Sequence, residues 1–327
     1  MGKDLNWAVL GTGVIANQLA EALQRHGRQL YAVGNRTYDK AVAFAAKYNV
    51  PKVYQTYDEA FSDPDVDVVY LSTPHNTHIG FLEKALTAGK HVLCEKSITL
   101  NSEELDRAMA LAKEHNVVLA EAMTIYHMPL YKELRKRVGA GEFGRVNLVQ
   151  LNFGSYKAYD MKNRFFNLSL AGGAMLDIGV YALSLARCFL ESTPTEVKSL
   201  VRMAPTGADE TSGIVAMNPQ GQLVTATLSL HSKQPKRAVI SCDRAYIEIM
   251  EYPRSDRANI VWTEDGRREE VAAGSTADAL WYEVQDMEQA ISCGEDQMML
   301  SYSKDVMDLM TGLRREWGLV YPEEVSK

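Results

Sequence analysis

The stretch Trp7-Ala8-Val9-Leu10-Gly11-Thr12-Gly13-Val14-Ile15-Ala16 decides the fold. Its four leading apolar residues predict a short buried strand. The two glycines predict a tight turn into a helix that starts at Val14. A G-x-G-x-x-A string reads as a dinucleotide-binding turn only in such a strand–turn–helix setting. Gly11 permits the sharp turn, and Gly13 lets the backbone approach a pyrophosphate. Ala16, in place of a third glycine, still lets the helix pack closely on the strand. Gly11, Thr12, Gly13, Val14 and Ile15 are therefore expected to face the phosphates, where free N–H groups and a positive dipole end favour an anion. An ordinary packing turn is the competing reading of the same residues.

Working outward, residues 5–121 alternate strand and helix. Strands are predicted at 7–10, 30–33, 66–72, 91–94 and 117–120, with helices at 14–26, 39–48, 58–61, 77–88 and 102–115. Continuous apolar strands imply burial on both faces, hence a parallel, doubly wound sheet of Rossmann type. The pattern changes near residue 122. Helices at 129–138 and 173–189 are followed by strand-like runs through 272, and two more helices close the chain. An α/β protein of two domains is predicted: a dinucleotide-binding domain over 1–121, then a substrate-binding and oligomerisation domain over 122–327 built on an open, largely antiparallel sheet. The exposed face of such a sheet predicts a homodimer or higher homo-oligomer.

Composition limits the partners. The 327 residues carry a formal net charge of −7, which disfavours nucleic acid. No uninterrupted apolar run reaches the roughly 18 residues of a membrane span, and the N-terminus lacks a signal-peptide apolar core. The widely spaced Cys94, Cys188, Cys242 and Cys293 predict reduced thiols and a cytoplasmic location. His75, His78 and His127 lack metal-ligand spacing, so no metal is expected.

The cofactor and the chemistry rest on a few segments. An acid ending the second strand would bind the adenine ribose of NAD. Here Asn35-Arg36 follows instead, and Arg36 suits the 2′-phosphate of NADP. NADP is expected, with NAD possible. Asp39 on the following helix argues the other way, and a solvated surface arginine is the plain alternative. Two segments follow strands at the sheet's carboxyl edge, where open α/β sheets bind ligands. One is Thr73-Pro74-His75-Asn76-Thr77-His78. The other is Glu95-Lys96-Ser97. Thr73, Pro74, His75, Asn76, His78, Glu95 and Lys96 are expected at the cofactor. Lys96 there can exchange a proton with a hydroxyl or polarise a carbonyl, whereas a Glu-Lys pair elsewhere is a solvated surface pair. Further on, Gly172-Gly173 leads to Asp177 and Tyr181, four apart and on one helix face. Gly179 between them lets a neighbour approach closely. A backbone-bonded aspartate and a core tyrosine would give the same pattern.

Together these segments resemble the glucose–fructose oxidoreductase / inositol dehydrogenase (Gfo/Idh/MocA) family over essentially the whole chain. The G-x-G-x-x-A turn, the Thr73-Pro74-x-x-x-His78 loop, the Glu95-Lys96 segment and the Gly172–Tyr181 helix stand in family order and spacing. The resemblance implies a Rossmann domain followed by an open-sheet α/β domain. It implies an NAD- or NADP-dependent oxidoreductase acting on sugars, cyclitols or dihydrodiols. It makes Lys96 the catalytic lysine and Asp177 a substrate-orienting group. Tyr181, with the ending Arg314–Pro322, resembles the dimeric dihydrodiol dehydrogenase branch and would relay a proton with Lys96. Ser97 departs from the family's proline, which implies a slacker loop around Lys96.

The expected reaction is hydride transfer between nicotinamide and a hydroxyl or carbonyl carbon, with Lys96 and Tyr181 moving the proton. Substrate selection is expected around Tyr126, Phe153, Tyr156, Tyr159, Arg164, Phe165 and Phe166. Two other readings keep the fold: a cofactor-binding regulator without catalysis, and a reductase of an imine or linear tetrapyrrole.

Overall fold

The computed structural model describes residues 5–294 and 298–325. Its contacts divide the chain into two units, Met1–Ala122 with Leu280–Leu300, and Met123–Ala279 with Ser301–Lys327.

The first unit holds a six-stranded parallel sheet: Trp7–Leu10 (β1), Ala32–Gly34 (β2), Lys52–Tyr54 (β3), Val68–Leu71 (β4), His91–Glu95 (β5) and Leu119–Ala122 (β6). The order is β3-β2-β1-β4-β5-β6, with Leu10 beside Gly34 on one side and Leu71 on the other. The chain leaves β1 toward β2 and later returns to its opposite side at β4. Connections therefore diverge at this point and open a crevice at the strands' carboxyl ends. The apolar runs predicted as strands are buried on both faces, as helices on each side of the sheet require. β3 was not anticipated. Three residues at a sheet edge carry too little periodicity to announce a strand. β2 and β6 lie about two residues later than predicted, which brings Glu121 into a strand.

One segment departs from the expected division at residue 121. Leu280, Val284, Met287 and Ala290 of the helix Ala279–Cys293 join the core formed by Trp7, Leu19, Leu23 and Phe44. The Trp7 indole N–H donates 2.9 Å to Glu288, which also pairs with Arg28 at 2.9 Å. This helix thus belongs to the first unit although its sequence follows the second.

The second unit carries eight strands: Val146–Gly154 (β7), Glu196–Met203 (β8), Asp209–Met217 (β9), Leu223–Ser229 (β10), Gln234–Cys242 (β11), Ala245–Met250 (β12), Arg257–Trp262 (β13) and Arg268–Ala272 (β14). They run in the order β14-β13-β12-β11-β7-β10-β9-β8. The β7–β10 pair is parallel and the other pairs are antiparallel. Alternation fixes the register. Val149, Leu151, Ile214, Ala226, Leu228, Ile240 and Ile247 point inward, where the helix Val180–Phe189 packs on β7 and β10. The predicted helix over 173–189 begins instead with a wider π turn, Met175–Gly179. By composition, Leu168–Phe189 is apolar enough to cross a bilayer, with mean hydropathy 1.5, but 72% of that window is buried inside the protein.

Met287→Ala removes a fully buried side chain from the first unit's core. It should cost about 2–5 kcal/mol of unfolding free energy in a urea titration. A loss below about 1 kcal/mol would show that the helix contributes little to that core.

Candidate active site

Gly11 adopts φ +103°, and a Cβ there would lie 2.7 Å from both the carbonyl and hydroxyl oxygens of Ser72. Its N–H donates 2.8 Å to the Gly34 carbonyl, and the Ser72 N–H donates 2.9 Å to Leu10. Gly11 therefore lies between β2 and β4, where no other residue fits. Gly13 is different: nothing lies within 4 Å of its Cβ position. It is exposed, extended, and caps the helix Val14–Arg25 without a side-chain hydrogen bond. Val14 beside it is 78% exposed, while Ile15 packs on the core and Ala16 is buried against it. Open backbone at an uncapped helix start fits a pyrophosphate. Protein packing explains Gly11 and Ala16 but not Gly13.

Beyond β2, the Arg36 backbone N–H donates 3.1 Å to the Tyr57 hydroxyl, and its side chain is exposed. The Asn35 amide turns to its own loop, donating 3.0 Å to the Thr37 carbonyl. Asp39 lies in the exposed first turn of the helix Tyr38–Tyr48.

The two loops at the carboxyl ends of β4 and β5 are bonded to each other. The His75 ring nitrogen Nε2 lies 3.0 Å from the Lys96 carbonyl. His78 Nε2 lies 2.8 Å from the Thr73 carbonyl, and Nδ1 lies 3.0 Å and 3.2 Å from the carbonyls of Ser97 and Ile98. Below them, the Ile98 N–H donates 3.0 Å to the buried Glu121 carboxylate. The Tyr70 hydroxyl donates to Glu95. The Lys96–Ser97 peptide is cis. Where Ser97 replaces the family's proline, three side chains, His75, His78 and Glu121, bond the loop's backbone.

His78, expected at the cofactor, has a fully buried side chain that spans the two loops. Burial holds its imidazole below the ordinary value, with the Lys96 charge acting the same way against the three carbonyls that favour protonation. Glu121 was missed altogether. Its signal was an acid inside the apolar run Leu119-Ala120-Glu121-Ala122, which is costly to bury without a partner. Thr73, Asn76, Glu95 and Lys96 are half-buried, Pro74 is exposed, and His75 is nearly buried. The Thr73 and Thr77 hydroxyls lie 2.9 Å apart.

In the second unit, Asp177 and Tyr181 are half-buried on the π turn and the helix after it. Asp177 lies 3.5 Å from the Arg164 guanidinium. The Tyr181 ring is tilted toward Phe153 at 6.1 Å. A Cβ on Gly179 would meet Met175 Sδ at 2.8 Å and Leu228 at 2.9 Å, so its close neighbours are its own turn and the sheet. Of the residues expected to select substrate, Tyr126, Phe153 and Phe166 are core residues. Tyr156 and Tyr159 are exposed and stack on His231 at 5.3 Å and 3.9 Å. Among the described residues, no group of histidine, cysteine or acidic side chains is arranged to hold a metal.

Residues 5–123 match the model of the oxidoreductase family with an NAD-binding Rossmann fold, and residues 131–248 match the GFO/IDH/MocA C-terminal domain. The chain belongs to this family. It is an oxidoreductase with an NAD(P)-binding Rossmann domain. It is 32% identical over 251 residues to a trans-1,2-dihydrobenzene-1,2-diol dehydrogenase of Mus musculus, covering 75% of this chain and 74% of that one. It is 29% identical to the Xenopus laevis enzyme of that name, over 97% and 99% of the two chains. Among solved structures, a 3-ketoreductase from Actinomadura kijaniata in complex with NADP and TDP-benzene superposes with a TM-score of 0.84 at 21% identity, over 96% and 98% of the chains. A levoglucosan dehydrogenase in complex with NADH gives 0.87 at 18% identity, over 97% of each chain. These two likenesses are of fold.

His78 gives this oxidoreductase a testable pH response. Its folded value lies below the ordinary 6.5. The stability it contributes is present above that pH and is lost as pH falls through the lower value. His78→Gln should therefore lose less unfolding free energy than wild type between about pH 7 and about pH 5. An equal or larger loss would contradict this.

Proposed function

We propose that the protein is an NADP(H)-dependent dehydrogenase or reductase of a hydroxyl or carbonyl carbon on a sugar, cyclitol or dihydrodiol. The observation that carries this is Lys96, at the carboxyl end of β5, with its backbone held by His75 and its loop by His78 and Glu121. A reactive lysine needs this kind of support, because small displacements of a catalytic group cost rate steeply. Bound NADP(H) supplies or accepts the hydride. Lys96 gives a proton to the developing alkoxide during reduction, or takes one from the hydroxyl during oxidation. Asp177 offers an acceptor to a substrate hydroxyl, and Tyr181 offers a phenol that relays the proton. The relatives named as dihydrodiol dehydrogenases favour a ring bearing adjacent hydroxyls. The exposed Tyr156 and Tyr159, with Lys157 and Arg164 both over the Phe165 ring, are read as its recognition surface.

Arg36 supports NADP over NAD. A guanidinium beyond β2 grips a 2′-phosphate with charge-assisted hydrogen bonds. The same reading makes the protein a cytoplasmic homodimer, with no nucleic acid or membrane as partner. The open face of the eight-stranded sheet carries Leu200, 84% exposed, with Val215, Tyr246 and Met250 on the same side. A broad exposed face of this kind is commonly covered by a second subunit.

Loss of 340-nm absorbance over a panel of sugar and dihydrodiol carbonyl compounds tests the reaction. Lys96→Met should lower kcat by about 10²–10⁴-fold with the NADPH Kd nearly unchanged. Unchanged turnover would refute the lysine's role. Arg36→Ala should weaken NADPH by about 10–100-fold and NADH hardly at all. Equal loss for both cofactors would remove the argument for NADP. Sedimentation should give twice the mass of one chain, and Leu200→Glu should lower it. A monomer mass at every concentration would exclude the dimer.

A further inference from the structure

The C-terminal run Arg314–Pro322 has no part in the proposed chemistry, yet it reaches the core of the second unit. Tyr321 is fully buried, and its hydroxyl donates 3.0 Å to the Gly172 carbonyl. Arg314 is 2% exposed, held at 3.0 and 2.9 Å by the two carboxylate oxygens of Glu324, and its guanidinium lies 4.7 Å over the Tyr321 ring. Beside them lies Asp209, the first residue of β9, with no exposure at all.

Asp209 Oδ2 accepts the Met175 N–H at 2.6 Å. Oδ1 makes no hydrogen bond among the described residues. It presses on Gly173, where a Cβ would lie 2.0 Å from it and 3.4 Å from the Tyr321 hydroxyl. Gly173 has φ +137° and donates 3.0 Å to the Phe165 carbonyl. The Gly172-Gly173 turn is thus fixed by Tyr321 on one residue and by Asp209 on the next. Met175 opens the π turn that carries Asp177 and leads to Tyr181, and the Asp177 N–H returns 3.3 Å to the Gly173 carbonyl. Whatever holds Met175 and Gly173 sets the direction of both side chains.

We propose that Asp209, seated against Gly173 with Tyr321 beside it, is a positioning residue for Asp177 and Tyr181. This rests on the reading that those two orient the substrate. A carboxylate at a helix start is favoured by the amide it accepts and by the dipole, so its charge tightens the turn. The groups facing it are Arg314 and Tyr321, with Glu324 behind Arg314 and Asp177 on the turn it caps. Burial pushes the Asp209 carboxyl up to about 6, against the Met175 amide, Arg314 and the Ala174 amide, which favour its charge. Its folded value thus lies above its ordinary 3.8. Any stability it gives is full below the ordinary value and is lost as pH rises through about 6. Charge on Asp209 therefore improves positioning while it lowers stability.

Asp209→Asn keeps an acceptor for Met175 and removes the titration. Against wild type, kcat should fall about tenfold above about pH 7, with the NADPH Kd unchanged. The wild-type rise of kcat through about pH 6 should flatten in the variant. The variant's Tm relative to wild type should climb over the same range, a change opposite in sign to the loss of rate. Tyr321→Phe, which keeps the ring, should raise the substrate KM severalfold and leave NADPH binding intact. In double variants with Asp177→Asn, the Asp209 effect should shrink, because it acts through the same side chain. Wild-type kcat, KM and acid limb in both single variants, alongside an impaired Asp177→Asn, would overturn the proposal and leave the site reading intact. A silent Asp177→Asn with a silent Tyr181→Phe would overturn the site reading and the proposal together.

Discussion

Gly11 and Ser72 meet with no room between them for a side chain. That close approach occurs where β1 and β4 run side by side and the chain's connections part to opposite faces of the sheet. It sets the turn after β1, so that Gly13 opens onto free space at a helix start. It also fixes the start of the loop after β4, from which His75 and His78 reach the Lys96 segment. The open helix start at Gly13 and the loop that carries Lys96, the lysine proposed as catalytic, therefore both depend on one backbone contact that tolerates only glycine.

Buried polar groups do similar work in both units. Glu121 holds the Ile98 amide beneath the lysine loop, and Asp209 holds the Met175 amide at the start of the turn that carries Asp177. Burying an acid is costly unless its charge is paired or hydrogen-bonded. Both accept a backbone amide of a loop or turn that bears side chains of the proposed site. In the proposed mechanism, half-buried groups carry the chemistry and fully buried ones the orientation.

Much of the fold was legible because parallel strands buried on both faces are continuous apolar runs, and because Gly and Pro punctuate them. Lys52–Tyr54 was not legible, being three residues at an edge. The helix Ala279–Cys293 was predicted as a helix, but its return to the first unit depends on long-range packing that no local pattern encodes. The candidate site divides in the same way. Gly11, Gly13 and Lys96 stand out by position after a strand. The burial of His78 among the carbonyls of Thr73, Ser97 and Ile98 was not legible, because a histidine in a strand-end loop has the same local sequence whether it meets a ligand or backbone carbonyls. Phe153 and Phe166 were expected to meet substrate, yet alternation and the turn after Arg164 bury them. Glu121 and Asp209 showed only as acids beside apolar neighbours, and their partners come from distant segments.

Hydride transfer is the central claim, and isotope transfer tests it most directly. Turnover with NADPH carrying deuterium at both hydrogens of nicotinamide C4, against a dihydrodiol-derived or sugar carbonyl compound, should place deuterium on the carbon that becomes the new carbinol. Deuterium there, with one label per cofactor consumed, is the predicted result. Cofactor bound but never oxidised across the whole panel, or oxidised with no label on that carbon, would contradict it.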